Sequence, residues 1–315
     1  MNRIEKVMNA PRPYLTDGGM ETWLFFQQGF TAPEFAAITL VENADAAQAL
    51  QRYFEEFLAM AQAADTGFVL DTNTWRGAEC WAEALGLTGA QLLRLNEKAV
   101  DFAARLKDRW AERVPDIVLN GVIGPVGDGY APGKTPTIED SRALHRSQIE
   151  VLQRSGVEML SAMTITNVAE AIGIALEARD VGLPLTISFT VETDGRLPSG
   201  DLLGEAIEAV DAASGGYPLW YMINCAHPDH FRDAITAGEA WIDRIGGLRA
   251  NASRLSHAEL DNADALDDGN PEEFGALHAE LATHLPNLRV VGGCCGTDHR
   301  HVQCVSRHLH SPQPA

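Results

Sequence analysis

The stretch LRVVGGCCG (288–296) is the last of eight segments that share one pattern and decide the fold. Most of these segments are apolar at successive positions and do not alternate, which is typical of parallel strands covered on both faces. The seven earlier segments are PYLTDGG (13–19), GFVLDTNT (67–74), DIVLNGVIGP (116–125), VEMLSAMT (157–164), PLTISFTV (184–191), LWYMINCA (219–226) and RIGGLRANAS (244–253). Their recurrence predicts eight buried strands.

Segments with helical periodicity separate these strands. In the first of them Leu50, Phe54 and Leu58 recur at four-residue steps and form one apolar face. The clearest helical segments are 44–64, 88–114, 138–156, 167–182 and 202–214. The chain therefore alternates strand and helix.

Eight strands alternating with helices over 315 residues match the count and size of an α/β barrel. A doubly wound open sheet is the competing fold, but no Gly-rich dinucleotide-binding turn opens an early helix. Polar residues also end the strands all along the chain, as a barrel with its site at the strand ends requires. We predict a single (β/α)8 TIM barrel domain over residues 1–315, with 1–12 and 309–315 as tails.

The net charge of −20 argues against nucleic acid or an anionic membrane as a partner. The first residues, MNRIEKVMNAPRPYL, lack the apolar core of a signal peptide, and no window has the roughly 20 apolar residues of a membrane span. We therefore expect a cytoplasmic protein, and no feature of the sequence fixes its oligomeric state.

The acidic segment SHAELDNADALDDGNPEEF (256–274) lies between the seventh and eighth strands. A charge run of this kind usually lies at the surface. A long insertion after a barrel strand can instead cover the active site as a lid. Both interpretations remain open from the sequence.

Three of the five cysteines follow predicted strands, namely Cys225 after the sixth strand and Cys294 and Cys295 after the eighth. Adjacent cysteines do not easily close a disulfide with each other. In a closed barrel the carboxyl ends of these strands lie close enough for all three sulfurs to meet over the mouth. Three thiolates with one open position are typical of a catalytic zinc site.

Two other interpretations of the cysteines stay open. All three can be ordinary buried cysteines, or Cys225 can bind metal with His227 and His230 in CAHPDH (225–230). The remaining cysteines, Cys80 and Cys304, do not end a strand and should be dispensable. The histidines near the carboxyl terminus are expected at the surface: His299, His301, His308 and His310.

The charge of the predicted site indicates its chemistry. Three thiolates on Zn²⁺ leave a formal charge of −1, which makes a weak Lewis acid but a good holder of a fourth, still nucleophilic thiolate. Zinc that activates water more often has histidine and carboxylate ligands. We predict methyl transfer to a zinc-bound thiol, with two alternatives: a zinc hydrolase using Glu192 as base, and a non-catalytic zinc- or thiol-binding barrel.

Four ordered motifs resemble the homocysteine S-methyltransferase family, which includes betaine-homocysteine methyltransferase and the homocysteine module of methionine synthase. They are LTDGGMET (15–22), GPVGD (124–128), INCAHP (223–228) and GGCCGT (292–297). The resemblance implies a TIM barrel, Zn²⁺ on Cys225, Cys294 and Cys295, homocysteine as methyl acceptor, and a place in methionine biosynthesis. It also implies a substrate site in which Asp17 and Gly18 meet the ammonium and backbone and Thr72 helps to hold the carboxylate, with Asn224 and the position of Met163 nearby.

The chain departs from this family after the fourth strand. Where many members read Glu-Thr-Ile-Pro-Asn, this chain reads Met-Thr-Ile-Thr-Asn (163–167). Met163 therefore stands in place of the glutamate whose carboxylate is expected to bind the ammonium. Losing such a charge-assisted hydrogen bond costs on the order of 1.5–3 kcal/mol. We therefore expect a preference for a thiol without an α-ammonium, unless Asp17 or Glu192 compensates.

A second departure is LRANASR (248–254), which follows the seventh strand. Arg249 or Arg254 would bring a positive charge to the mouth and suit an acidic substrate. An outward arginine in a salt bridge is the alternative for either residue.

The methyl donor is expected to be a small molecule, because no dinucleotide- or phosphate-binding motif is present. It is either an onium compound, such as S-methylmethionine, S-adenosylmethionine or a betaine, or methylcobalamin on a separate corrinoid protein. An onium donor favours aromatic faces near the mouth. Trp23, Trp75 and Tyr130 lie in suitable loops, although core packing explains each equally well.

Overall fold

Eight parallel strands close into one barrel in the order β1 to β8, with β8 paired to β1. The computed structural model describes residues 1–114, 116–129, 133, 135–263 and 265–311. Each predicted strand segment coincides with one observed strand, although β4 extends one residue beyond its segment, and the predicted (β/α)8 TIM barrel is confirmed. The strands are β1 (Tyr14–Leu15), β2 (Phe68–Asp71), β3 (Ile117–Ile123), β4 (Met159–Ile165), β5 (Leu185–Phe189), β6 (Tyr221–Asn224), β7 (Ile245–Ala250) and β8 (Val290–Gly293).

Helices surround this barrel and connect its strands. The five predicted helical segments are present with shifted ends. A helix that was not predicted follows β6 and begins inside CAHPDH (225–230), the segment considered above as an alternative set of metal ligands. The helices are α1 (Arg3–Met8), α2 (Met20–Thr22), α3 (Ala44–Ala63), α4 (Gly89–Trp110), α5 (Ile138–Arg154), α6 (Val168–Val181), α7 (Leu203–Ser214), α8 (Pro228–Thr236), α9 (His257–Asp261), α10 (Pro271–Ala282) and α11 (His299–His310).

Two apolar layers hold the barrel together. The larger layer lies between strands and helices, where the predicted face of α3 buries Leu50, Phe54 and Leu58. The smaller layer fills the inside of the barrel near the strand starts and includes Val69 and Val118. Side chains from successive strands thus leave only the carboxyl end of the barrel for a cavity.

The two ends of the chain are more ordered than the expected tails. Residues 1–12 contain α1, whose Val7 is fully buried in the inner apolar layer and closes the amino-terminal end of the barrel. At the other end, His310 is buried in α11 and its Nε2 lies 2.8 Å from the carbonyl oxygen of Pro13. Residues 312–315 of the predicted tail lie outside the described residues.

The histidines of α11 also differ from the sequence expectation. His301 and His310 are buried, so the prediction that all four histidines lie at the surface is wrong for these two. The reason is that α11 packs one face against the barrel and α10. Within the described ranges, no helix is both long and apolar enough to cross a membrane.

Candidate metal centre and substrate cavity

A cavity of about 330 Å³ opens at the carboxyl ends of the strands. Each residue predicted to form the site contributes to its wall: Asp17, Gly18, Thr72, Met163, Asn224, Cys225, Cys294 and Cys295. The barrel therefore brings the whole predicted set into one small-molecule-sized site.

Three cysteine sulfurs form a cluster at this cavity, and all lie within 4.8 Å of one another. Cys225 and Cys294 form a disulfide with a Cα–Cα distance of 5.4 Å. Cys295 lies with its Sγ 3.9 Å from that of Cys225. The sequence arguments considered only the adjacent pair and did not predict a bond between strand ends.

The donor set fits a zinc ion once these cysteines are reduced. Tetrahedral zinc with Zn–S bonds of about 2.3 Å separates its sulfurs by roughly 3.8 Å, close to the spacing of Cys225 and Cys295. Within the described part of the chain, these three residues form the only group of three or more metal-ligating side chains close enough to share an ion.

The backbone at the cluster is held in an unusual conformation. Cys225 has φ 52° and Thr164 has φ 61°, both in the left-handed region that costs energy for residues other than glycine. Gly19 allows the turn after β1 to lie directly against the Cys294 carbonyl, where a Cβ atom would overlap that oxygen. The local chain geometry thus serves the placement of the sulfurs.

Polar groups surround the sulfurs on the barrel side. Asn224 Nδ2 donates to Thr164 Oγ1 at 2.8 Å and lies 3.7 Å from Cys294 Sγ. Asn224 Oδ1 accepts from Ser188 Oγ at 2.6 Å and from the Thr164 amide at 2.9 Å. Thr164 Oγ1 lies 3.9 Å from Cys225 Sγ. These donors would partly offset the negative charge of thiolates and fix their orientation.

A buried ion cluster lies beside the sulfurs. Arg249 is 7% exposed, and its guanidinium pairs with both Asp17 and Asp71 while its Nε donates to the Gly293 carbonyl at 3.1 Å. Burial raises the pKa of Asp17 to about 6; the Arg249 guanidinium opposes this rise and the Asp71 carboxylate adds to it. Since one cation serves two carboxylates, the cluster keeps a net negative charge.

This cluster bears on the expected positive charge at the mouth. Arg249 lies in the cavity wall, but its guanidinium is already shared by protein carboxylates. Arg254 instead points outward and pairs with Asp229 and Glu273, both at 2.7 Å. Neither arginine therefore offers an uncompensated cation to an acidic substrate.

The other predicted substrate contacts are partly engaged within the protein. The Thr72 hydroxyl lies 2.7 Å from Thr74 Oγ1 and accepts from the Val122 amide at 3.1 Å. The Gly18 amide donates to the Tyr53 hydroxyl at 3.1 Å. Met163 belongs to the inner apolar layer. The roles assigned to these residues stay predictions, and none of the three provides a carboxylate.

Sequence reasoning missed several ionisable residues of the cavity, of which Glu21 matters most for the acceptor. It follows Asp17 and the two glycines in the quoted LTDGGMET motif, in α2, and it lines the cavity. Burial raises the pKa of Glu21 to about 7, and the nearby Asp17 carboxylate adds to this rise. Glu21 lies in a helical turn and not at a strand end, so the strand pattern does not point to it.

Part of the acidic segment lines the cavity, so this part is not merely a surface charge run, while its role as a lid stays a prediction. We call residues 256–263 and 265–267 the cap segment. His257 anchors it, since its Nε2 lies 2.8 Å from the Cys225 carbonyl and its Nδ1 3.1 Å from Glu192 Oε1. The cavity-lining residues of the cap segment are Leu260, Asp261, Ala263, Ala265, Leu266 and Asp267.

The alternative sites gain no support from this geometry. Glu192, the base required by the hydrolase alternative, pairs with His257 and is not among the cavity-lining residues. His227 caps α8 by accepting from the Asp229 amide, and His230 lies 3.0 Å from the Arg254 carbonyl. Cys80 and Cys304 lie elsewhere, in an exposed turn and in α11.

The outer wall of the cavity combines aromatic rings with carboxylates. Phe26 and Phe35 are 49% and 46% exposed, and their ring centroids lie 6.2 Å apart. Trp75, Asp128 and Asp261 line the same cavity. Trp23 is a core residue, as the packing explanation held, and Tyr130 lies outside the described residues.

A parallel barrel with three clustered cysteines at the ends of β6 and β8 defines a thiol-rich site whose sulfurs lie close enough together to share a metal ion. Residues 14–309 match the family model described as homocysteine S-methyltransferase. The chain belongs to this family, and it is therefore a thiol S-methyltransferase of the homocysteine type.

Curated relatives agree with this assignment over nearly full length. The chain is 23% identical to homocysteine S-methyltransferase 1 of Arabidopsis thaliana, with 94% of this chain and 93% of that protein covered. Homocysteine S-methyltransferase 1 of Brassica oleracea var. italica gives the same identity and coverage.

Solved structures share the fold. The metallated form of the homocysteine methyltransferase MmuM from Escherichia coli superposes with a TM-score of 0.74 at 19% identity, covering 97% of this chain and 99% of that one. Its oxidized form gives a TM-score of 0.73 at 21% identity with the same coverage.

Proposed function

We propose that this enzyme uses zinc held by Cys225, Cys294 and Cys295 to methylate homocysteine or a related thiol, with a small onium compound as donor. The observation that carries this proposal is the convergence of three sulfurs within 4.8 Å in the wall of a small-molecule cavity. Methylation of homocysteine would yield methionine and place the enzyme in methionine biosynthesis in the cytoplasm.

The chain's own residues prepare the acceptor side. When bound, zinc would keep the acceptor sulfur deprotonated near neutral pH. Asn224 and Thr164 orient the cysteine sulfurs through the contacts described above. The cap segment forms part of the cavity wall and so reduces the contact of the bound substrates with water, which strengthens the electrostatic interactions inside the cavity.

Methyl transfer forms one bond at the acceptor sulfur and breaks one bond at the donor atom. The acceptor thiolate attacks the methyl carbon and forms a new S–C bond, while the bond from that carbon to the donor's sulfur or nitrogen breaks. The donor leaves with this electron pair as a neutral thioether or amine. No residue of the protein needs to act as an acid in this step.

An onium donor suits the outer wall better than a corrinoid partner. Aromatic faces attract onium cations, and Phe26 and Phe35 line the wall together with the exposed carboxylate of Asp261. Trp75 and Asp128 lie in the same wall but are engaged by the Arg76 guanidinium. The cavity of about 330 Å³ has the size of small-molecule sites and is narrowed by the cap segment. A macrocyclic donor on another protein would have to displace this segment.

Metal analysis of single cysteine variants tests the zinc proposal. Protein purified under reducing conditions should contain one zinc per chain, and Cys225→Ser, Cys294→Ser and Cys295→Ser should each lose most of it. Cys80→Ser, which changes an exposed cysteine outside the cluster, is the matched control and should retain zinc. Full zinc content in Cys294→Ser would contradict the ligand assignment.

A donor panel tests the second half of the proposal. The purified protein alone should form methylated thiol from at least one sulfonium or betaine donor. Phe26→Ala should lower kcat/KM for that donor by roughly two- to tenfold, as loss of a partly exposed cation–π contact implies, without changing the KM for the thiol. Turnover with methylcobalamin alone would contradict an onium donor.

A further inference from the structure

The inner part of the cavity contains one carboxylate that the protein leaves without a partner. Asp17 and Asp71 both pair with Arg249. Glu21 is partly buried in the same cavity, and within the described ranges its carboxylate forms no ion pair and no hydrogen bond to another residue. A partly buried carboxylate without a partner is costly to keep unless a ligand uses it.

The helical turn that carries Glu21 contacts the loop that carries two cysteines of the sulfur cluster. Its neighbour Gly19 packs directly against the Cys294 carbonyl, and Thr22 Oγ1 accepts from the Gly296 amide at 3.1 Å. The turn that carries Glu21 is therefore seated on the loop that carries Cys294 and Cys295. A group a few bonds away from a sulfur bound at the cysteines is within reach of this turn.

We propose that Glu21 selects the acceptor by binding the α-ammonium of a thiol amino acid, an inference that rests on the proposed function above. Met163 has no charge to offer, Asp17 is committed to Arg249, and Glu192 is paired with His257 outside the cavity wall. The sequence predicts a preference for a thiol without an α-ammonium unless Asp17 or Glu192 compensates for the missing carboxylate. We assign that compensation to Glu21 instead.

The electrostatic setting of Glu21 supports this role. Burial and the Asp17 carboxylate raise its pKa to about 7, so the empty cavity favours the neutral carboxyl. An ammonium ligand favours the ionised form and supplies the missing partner. A thiol without an ammonium gives no such gain, so the ammonium is what Glu21 distinguishes.

The experiment compares two thiols in Glu21→Gln, a variant of nearly unchanged shape. Dissociation constants for L-homocysteine and its desamino analogue 4-mercaptobutanoate are measured by titration calorimetry on zinc-loaded protein without donor. Cobalt-substituted protein reports separately, by its sulfur-to-metal absorption, whether either thiol reaches the metal. Glu34→Gln removes the same charge from an exposed residue of the same cavity wall and is the matched control.

We expect Glu21→Gln to weaken homocysteine binding tenfold or more while the desamino analogue changes less than about twofold. Glu34→Gln should leave the ratio of the two affinities unchanged. An equal loss for both thiols, or no loss for homocysteine, would overturn the assignment of Glu21. If neither thiol alters the cobalt spectrum of the natural protein, the proposed function itself fails, and this inference fails with it.

Discussion

Replacing Arg249 by methionine should destabilise the enzyme more than any comparable change on its surface. Methionine has a side chain of similar length to arginine but removes the only cation that the described residues pair with the buried carboxylates of Asp17 and Asp71, which are 2% and 7% exposed. Two acidic groups would then remain inside the barrel without a counter-charge. Removing one partner of a buried ion pair typically costs about 3–5 kcal/mol.

The cost should depend on pH, and its sign follows from the pKa of Asp17. That pKa is already raised to about 6 with Arg249 present, and Arg249 lowers it. Without the guanidinium it rises further, so the folded variant holds a proton more tightly than the unfolded chain does. The stability of Arg249→Met should therefore fall as pH rises from about 4 through the raised pKa, and its deficit should be larger at pH 8 than at pH 5.

Urea unfolding at these two pH values, followed by circular dichroism, measures the effect. Arg254→Met is the matched control, because Arg254 also pairs with two carboxylates but is half exposed, and it should cost far less. Neutralising the partners as well, in Arg249→Met with Asp17→Asn and Asp71→Asn, should recover most of the loss. A midpoint for Arg249→Met equal to that of Arg254→Met, or no recovery in the triple variant, would refute the reasoning.

Three further predictions concern the cavity wall. Glu21→Gln should be more stable than the natural protein at pH 8 by on the order of 2 kcal/mol and equally stable below about pH 4.5, because the raised pKa makes ionised Glu21 unfavourable in the fold. Thermal melts at both pH values measure this difference. A variant less stable than the natural protein at pH 8 would contradict the prediction. Asn224→Ala should lower the free energy of unfolding by about 1–3 kcal/mol, because it leaves the Ser188 hydroxyl and the Thr164 amide without their hydrogen-bond acceptor. It should also weaken zinc binding by about 10- to 100-fold in a chelator competition. Gly19→Ala should lower the zinc content, because the added Cβ overlaps the Cys294 carbonyl; unchanged metal content would show that the loop moves freely.

The fold was predictable because each strand has a local sequence signal, a run of apolar residues at successive positions. Buried parallel strands need apolar side chains on both faces, and β3 and β4 meet this requirement at every position. The missed helix α8 shows the limit. His227 and Pro228 are a helix start signal, since the histidine side chain accepts from the Asp229 amide and the proline sits in the first turn. The start of α8 was not predicted because CAHPDH was interpreted as a possible set of metal ligands.

The site was predictable only where chain order determines it. Cys225, Cys294 and Cys295 end their strands, and a closed barrel brings such ends together whatever the side-chain details. The partner of Arg249 was not predictable in this way, because Asp17 and Asp71 lie 232 and 178 residues away and their pairing depends on the side chains inside the barrel. Glu21 was missed because it lies in a helical turn after β1 and not at the end of a strand.

The charges of the cavity also bear on how the proposed reaction ends. In the proposed zinc-bound site, the three thiolates with Zn²⁺ and the Arg249 cluster each keep a net negative charge, which attracts an onium donor. An ammonium-bearing acceptor favours the ionised form of Glu21, whose pKa is otherwise raised. Transfer of the methyl group consumes the donor's positive charge and the thiolate's negative charge together. Loss of the onium charge therefore weakens the attraction of the spent donor to Asp261 on the outer wall, whereas in the proposed site the methylated acceptor keeps its ammonium beside Glu21. This order of affinities favours departure of the spent donor first and makes release of the methylated thiol, beneath the cap segment anchored by His257, the slower exit.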